Sequence, residues 1–241
     1  MTTALAPEAK RQFVRDLFTT IAPRYDGFNR LASLGLDQGW RRRTVREVAL
    51  RPGMRVLDVC TGTGDLALLC GRQLQGQGLV IGVDFTQAML AGAVRKARAT
   101  GNGVVWLRAD AQTLPFASES FDRVLIGFST RNLSDLRAGL GEMVRVLKRR
   151  GRLVVLETGW PSNRLVRAAY LGFLLTVART IGWLLTRRAW PFTYLARSVK
   201  GFLTPAEVVV LLTSCGTSAR YVPLSFGLAS LYVAEKPAST S

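Results

Sequence analysis

Apolar and polar positions along this chain repeat with two periods, and the switches between them outline most of the molecule. Residues 8–21 follow the helical period, with Phe13, Leu17 and Ile21 on one face and Lys10, Arg11 and Arg15 on the polar side. Pro23 interrupts the pattern, the segment Tyr25-Asp26-Gly27-Phe28-Asn29 follows, and a second helical stretch is expected around 38–50. From Arg55 to Glu157 short apolar runs alternate with helical patterns. The runs predict strands at 54–59, 78–84, 103–108, 121–128 and 151–157, and two more, at 219–226 and 228–236, predict an antiparallel hairpin. Such alternation implies an α/β fold, a Rossmann-like, seven-stranded and mostly parallel sheet covered on both faces by helices. The expected layout is one domain: an N-terminal helical segment (1–50), a Rossmann-like core (51–160), an apolar helical insertion (161–200), and a C-terminal helix with the hairpin (201–237).

The insertion breaks the amphipathic rule. Leu165 to Thr186 carries only two charges, Arg167 and Arg179, and Ala168 to Ala178 carries none. Its length would allow a membrane span, but Arg179 and the threonines argue against one. A core helix, a lid over a greasy substrate and an interfacial helix flanked by Arg164, Arg187 and Arg188 all fit. The flanking arginines favour a lid that also touches a membrane surface.

Ligands of parallel sheets bind beyond the carboxyl ends of the strands, so the strand endings carry the chemistry. The run Val56-Leu57-Asp58-Val59-Cys60-Thr61-Gly62-Thr63-Gly64-Asp65 takes an apolar strand to an acidic residue and then through two glycines into a helix. Glycines let the backbone approach a ligand, and the helix N-terminus behind them offers unpaired N–H groups. Asp84 closes the next strand at the spacing where a carboxylate meets ribose hydroxyls. Asp110-Ala111 closes the third, where a carboxylate can accept from an adenine amino group; Phe85 or Met89 can line the base. A dinucleotide and S-adenosylmethionine both use this layout. Ala67 stands where a dinucleotide fingerprint has its third glycine, a tolerable substitute. Asp58 discriminates better, since a carboxylate there repels a pyrophosphate but suits the cationic amino-acid end of S-adenosylmethionine. The predicted cofactor site is Asp58, Gly62, Thr63, Gly64, Asp84, Phe85, Asp110 and Ala111, with Cys60 contributing only backbone, and the predicted activity is a methyl transfer.

Composition narrows the partners. The net charge of +17 accompanies a positive mean hydropathy of +0.17. A basic and greasy chain fits an anionic membrane surface better than a nucleic acid. Met143 to Ser241 holds 14 Lys and Arg against three Asp and Glu; solvated arginines alone would produce the same count. There is no histidine, which excludes Ser-His and Cys-His nucleophiles and histidine-based metal sites; no metal is expected. The three cysteines read as small core residues of a reduced cytoplasmic protein.

Four further stretches carry a resemblance. Tyr25-Asp26-Gly27-Phe28-Asn29-Arg30-Leu31-Ala32-Ser33-Leu34-Gly35 and Arg145-Val146-Leu147-Lys148-Arg149-Arg150-Gly151-Arg152-Leu153-Val154-Val155-Leu156-Glu157 resemble the two signatures of the ubiquinone/menaquinone biosynthesis C-methyltransferases, a class I methyltransferase family. Phe128-Ser129-Thr130-Arg131-Asn132 resembles the family's Arg-Asn element, and Tyr194-Leu195-Ala196-Arg197-Ser198-Val199 a downstream block. The resemblance covers Arg11 to Lys236. It implies methylation of a ring carbon in a polyprenylated quinol, a lipid-soluble substrate, with S-adenosylmethionine as donor. It also places cofactor contacts at Thr63, Asp84, Asp110 and Ala111. The chain departs from the family pattern at Arg149-Arg150, where Pro-Gly is usual, and at Gly127, Arg197 and Tyr232, where serine, glutamate and histidine are common. Arg197 and Tyr232 are expected to border the acceptor pocket.

Carbon methylation needs a ring carbon made nucleophilic by a neighbouring ionised hydroxyl, so the site must stabilise a phenolate. Arg131 is the candidate partner. An arginine is a poor base, so the proton would leave through a water positioned by Arg131 and Asn132. Tyr25 would hydrogen-bond the quinol or close the pocket. Arg131 has a structural alternative, an ion pair with Asp135 one helical turn on, and Tyr25 and Asn29 have one in local capping and packing. The expected location is the cytoplasmic membrane face, in peripheral contact with anionic lipid, as a monomer or homodimer. Two other functions stay open: an RNA methyltransferase using the basic C-terminal half, and an inactive paralogue that binds lipid or scaffolds other proteins. The aromatics lie in apolar runs rather than among the basic clusters, which tells against RNA.

Overall fold

The computed structural model describes residues 6–101, 103–159, 161–186 and 190–238. Arg187 and Arg188, the proposed flank of the insertion, and the last three residues lie outside them. Three helices open the chain: α1 (Pro7–Ile21), α2 (Tyr25–Ala32) and α3 (Leu36–Val48). Seven strands and their helices follow: β1 (Arg55–Val59), α4 (Asp65–Leu74), β2 (Leu79–Asp84), α5 (Gln87–Thr100), β3 (Val104–Arg108), β4 (Phe121–Gly127), α6 (Leu136–Val146) and β5 (Leu147–Thr158). The insertion supplies α7 (Arg164–Phe173), α8 (Arg179–Thr186) and α9 (Trp190–Lys200), before α10 (Pro205–Ser214), β6 (Ser218–Leu224) and β7 (Ala229–Glu235).

The sheet runs β3-β2-β1-β4-β5-β7-β6. Five strands are parallel, and β7 pairs antiparallel with both β5 and β6. Successive strand residues point to opposite faces, and each face has its own core. Leu57, Val59, Val124 and Ile126 meet α6 and α10 through Leu140, Met143 and Leu212. Val56, Val80, Leu125 and Val154 meet α3, α4 and α5 through Val48, Leu68 and Ala97. Full burial of each such side chain stabilises the fold by about 1.5–3 kcal/mol. A third cluster, Leu17, Ile21, Phe28 and Met89 with Phe173 and Ile181, joins α1 and α2 to α5 and the insertion. That cluster roofs the carboxyl ends of the strands.

Two local features differ from expectation. Tyr25–Asn29, for which the periodicity predicts no element, forms the start of α2, because Phe28 can be buried on one side while Asp26 and Arg30 face the other. Strand β5 begins at Leu147 rather than 151, with a register irregularity opposite Phe121–Arg123. Arg150, where the family pattern has glycine, adopts φ +58°, the left-handed conformation glycine takes freely.

The insertion is long and apolar enough, over Arg164–Leu184, to cross a membrane by length and composition. A π-helical turn at Leu174–Ala178 interrupts it, and it lies across α2.

Candidate active site

The β1–α4 turn is built by backbone constraints. Cys60, Gly62 and Gly64 have positive φ (+53°, +56° and +84°). A Cβ on Gly64 would also sit 2.5 Å from the Trp106 ring and 3.0 Å from Ala93. Gly64 therefore packs the turn against β3 and α5 and is not among the residues that line the cavity. Gly62 does face it, and its N–H donates to Asp84 Oδ2 at 2.9 Å. The remaining predicted residues, Asp58, Thr63, Asp84, Phe85, Asp110 and Ala111, line one cavity together with Tyr25 and Asn132.

Asp58 is 1% exposed. Its Oδ2 accepts from Thr61 Oγ1 at 2.5 Å and from the Ala67 N–H at 3.0 Å. Its Oδ1 is buried with no hydrogen-bond partner among the described residues. Burial raises the carboxyl to about 7, with Asp84 and Asp65 adding repulsion. An orphaned carboxylate oxygen in a cavity is what the ammonium group of S-adenosylmethionine needs. Asp84 is also raised by burial, and its oxygens accept from the Gly62 and Thr86 N–H groups. Asp110 accepts from the Gln112 N–H at 2.8 Å and pairs with Arg11 Nε at 3.5 Å. These residues fit the cofactor.

The N-terminal helices close this cavity through contacts that join the predicted Thr63 to Asp26, Lys96, Asp65 and Arg41, none of them in the predicted set. Thr63 Oγ1 donates to Asp26 Oδ1, and Lys96 Nζ reaches Thr63 Oγ1 (3.0 Å), Asp26 Oδ2 (2.9 Å) and Asp65. Arg41 ties Asp65 to Asp37. Lys10 donates to the carbonyls of Arg131 and Leu133. The charges of Asp26, Asp65 and Lys96 meet only in the folded chain; the polar face of the first helix was the one legible hint.

A second cavity, of about 470 Å³, opens beside the first. Phe28, Leu36, Trp40, Tyr170, Phe173 and Val199 give it apolar walls, and Arg131 and Asn29 contribute polar atoms. Phe18, Tyr25, Arg41 and Phe128 line both cavities. Tyr25 is thus at the junction, its hydroxyl raised by burial while Asn29, Arg41 and Arg131 pull the other way.

Arg131 does not pair with Asp135. Asp135 caps α6 by accepting from the Ala138 N–H. Arg131 Nη1 instead pairs with Glu157 Oε1 and donates to the Phe128 carbonyl, while Nε donates to Ser198 Oγ at 3.2 Å. Glu157 is 0% exposed and also accepts from Thr130 Oγ1 (2.6 Å) and the Thr158 N–H (2.7 Å). The signal for Glu157 was available, since it ends an apolar strand as Asp58 and Asp84 do. Asn132 Oδ1 accepts from the Tyr194 hydroxyl at 3.3 Å.

Arg197 and Tyr232 do not border the acceptor cavity. Arg197 is exposed, and Tyr232 is buried in the core against Tyr221, because its β7 position faces α10. Gly127 does lie at the site: a Cβ there would meet Leu66 Cδ1 at 2.6 Å, so Leu66 fills the room a serine would need.

Comparison with known proteins agrees with this geometry. Among solved structures, a SAM-dependent methyltransferase from Thermotoga maritima superposes with a TM-score of 0.63 at 18% identity, covering 92% of this chain and 99% of its own. A phosphoethanolamine N-methyltransferase from Haemonchus contortus in complex with S-adenosyl-L-methionine gives 0.59 at 14%, covering 82% and 52%. These establish the class I methyltransferase fold. In sequence, the chain is 42% identical to the demethylmenaquinone methyltransferase of Thermus thermophilus over 92% of this chain and 100% of that one. It is 40% identical to the ubiquinone/menaquinone biosynthesis C-methyltransferase of Geobacter sulfurreducens, over 94% and 90%. These relatives give no support to the RNA or scaffold readings. A family model spans residues 6–236, from the helix that supplies Arg11 to the end of the last strand. With a carboxylate-lined cavity at its strand ends that fits S-adenosylmethionine, this methyltransferase belongs to the ubiE/COQ5 methyltransferase family.

Proposed function

We propose that this enzyme methylates a ring carbon of a polyprenylated quinol, a demethylmenaquinol or a ubiquinol precursor, at the junction of its two cavities. The observation that carries this reading is that junction: a polar, carboxylate-lined cavity and a large apolar one share Tyr25, Arg41 and Phe128. When bound, S-adenosylmethionine supplies the electrophilic methyl group. Asp58 would hold its ammonium, Asp84 the ribose, and Asp110 with Ala111 the adenine. The apolar walls suit the isoprenoid tail and the ring.

Arg131 provides the positive charge that favours ionisation of the ring hydroxyl. Its pairing with Glu157 fixes the guanidinium, so little reorganisation is needed when the phenolate forms. Arg131 and Asn132 would hold the water that removes the proton. Tyr25, with its hydroxyl raised by burial, stays protonated and orients the ring as a donor. Peripheral attachment to the cytoplasmic face of an anionic membrane belongs to this reading, supported by the +17 charge and the apolar insertion; a homodimer is a further proposal.

The test is transfer of labelled methyl from S-adenosylmethionine to reduced demethylmenaquinone and to a reduced demethylated ubiquinone precursor, each in detergent. Product on one ring, abolished in Asp84→Ala and Arg131→Ala, is expected. Cofactor binding without product on either ring would overturn the reading.

A further inference from the structure

Among the described residues, the large hydrophobic side chains left in solvent concentrate around the acceptor cavity. Leu31 and Leu34 lie where α2 meets α3, Leu165, Leu175 and Leu184 along the insertion, and Phe226 on the β6–β7 turn. Each segment also supplies cavity wall: Leu34 from the first, Val166 from the second, and Leu228 beside the third. Leu165 is 81% exposed and Phe226 91%.

The Phe226 turn is held in place. Ser225 and Phe226 both adopt left-handed φ, +47° and +58°, a conformation that side chains with a Cβ disfavour. Trp40 Nε1, on the cavity wall, donates to Ser225 Oγ at 2.9 Å, and the Gly159 N–H donates to the Leu228 carbonyl at 2.9 Å. A disfavoured backbone fixed to the cavity displays a phenyl ring to water.

Charge selects the occupant. The chain from Thr158 to Ala206 contains no acidic residue, and Arg164, Arg197 and Lys200 within it are exposed, as are Arg30 on α2 and Arg42 on α3. A second copy docked symmetrically would set arginines against arginines. An anionic bilayer supplies both the apolar interior and the countercharge.

We propose that the rim of the acceptor cavity is a docking surface for an anionic phospholipid bilayer. Phe226, Leu31 and Leu165 enter the acyl region, and the cavity mouth opens into the membrane. The docking rests on exposure and charge; only the identity of what passes through the mouth rests on the quinol reading.

The experiment uses the full chain with phosphatidylglycerol and with phosphatidylcholine vesicles. Cosedimentation with phosphatidylglycerol, weakened by salt and nearly absent with phosphatidylcholine, is expected. The combined variant Phe226→Asn, Leu31→Ser, Leu165→Ser should lose about 100-fold in partitioning. Asparagine tolerates the left-handed turn, so the fold is kept, and kcat/KM on a short-chain, water-soluble quinol should match the parent. Vesicle binding with no methylation of any quinol would sustain the docking surface while removing the quinol reading. Variant and parent partitioning alike would overturn the docking, as would a parent that methylates the soluble quinol yet ignores phosphatidylglycerol, or one that forms without lipid a dimer which the same triple variant dissolves.

Discussion

Asp58 and Glu157 each stand one residue before the carboxyl end of a strand, β1 and β5, and their surroundings are opposite. Glu157 has a cation of its own, Arg131, and donors on both oxygens. Asp58 has donors on one oxygen and none on the other. A buried carboxylate that is fully partnered is part of the scaffold, and one left half-partnered beside a cavity is reserved for a ligand. Under the proposed function the difference also separates two roles: Glu157 would act through Arg131 on the acceptor, and Asp58 on the donor directly.

The largest effect is expected at Arg131, the partner that Glu157 has and Asp58 lacks. Arg131→Ala should lower kcat at least about 100-fold, the cost of removing one oxyanion donor, and destabilise the fold by about 3–5 kcal/mol by stranding Glu157. Adding Glu157→Gln should restore much of the stability, read by urea unfolding, and none of the turnover. Recovery of activity in that double variant would show that the guanidinium is structural only.

Asp58→Asn should behave the opposite way. Cofactor affinity, measured by calorimetry, should fall about 10–100-fold, while the ligand-free protein unfolds no more easily than the parent. The titration sharpens this. Asp58 ionises near 7 when folded, against an ordinary 3.8, so between those values the folded chain holds a proton that the unfolded chain has released. Ligand-free stability at this group therefore falls as pH rises from about 4 to 7. Binding of the cofactor ammonium requires the ionised form, so the Kd should rise about tenfold for each pH unit below 7. Asp58→Asn should flatten that profile; an unchanged slope would reassign the proton.

Two smaller effects concern the departures from the family pattern. Gly127→Ser should cost about 1–3 kcal/mol through overpacking against Leu66, relieved by shortening Leu66 to valine. Arg150→Gly should stabilise the fold by about 1 kcal/mol, the cost of a left-handed residue with a Cβ. Both are readable as shifts in Tm.

The donor side of the site was legible in the sequence because it is local. Asp58, Gly62 and Thr63 share one turn, and Asp84 and Asp110 end the next two strands, so strand prediction alone brings them together. The strand set itself followed from apolar runs, with β5 starting at Leu147, ahead of its apolar run. The acceptor side is assembled from afar. Tyr25 and Arg41, Phe128 and Arg131, and Tyr170 and Val199 meet only through tertiary packing, and no periodicity reports that meeting. Arg131 was visible at its strand end, but its partner Glu157 lies 26 positions on. The helix α2 was hidden for a related reason: Gly27 weakens its local propensity, and burial of Phe28 decides it.

A methyl group delivered to a ring carbon at the junction of the two cavities leaves a new carbon–carbon bond in the product. The direct measurement is NMR of the product formed from S-adenosylmethionine carrying a ¹³C-methyl group and the accepted reduced quinol. A methyl bonded to an aromatic carbon, with both ring oxygens unmodified, is the expected product. A methoxy product, or label on any atom outside the ring, would contradict it.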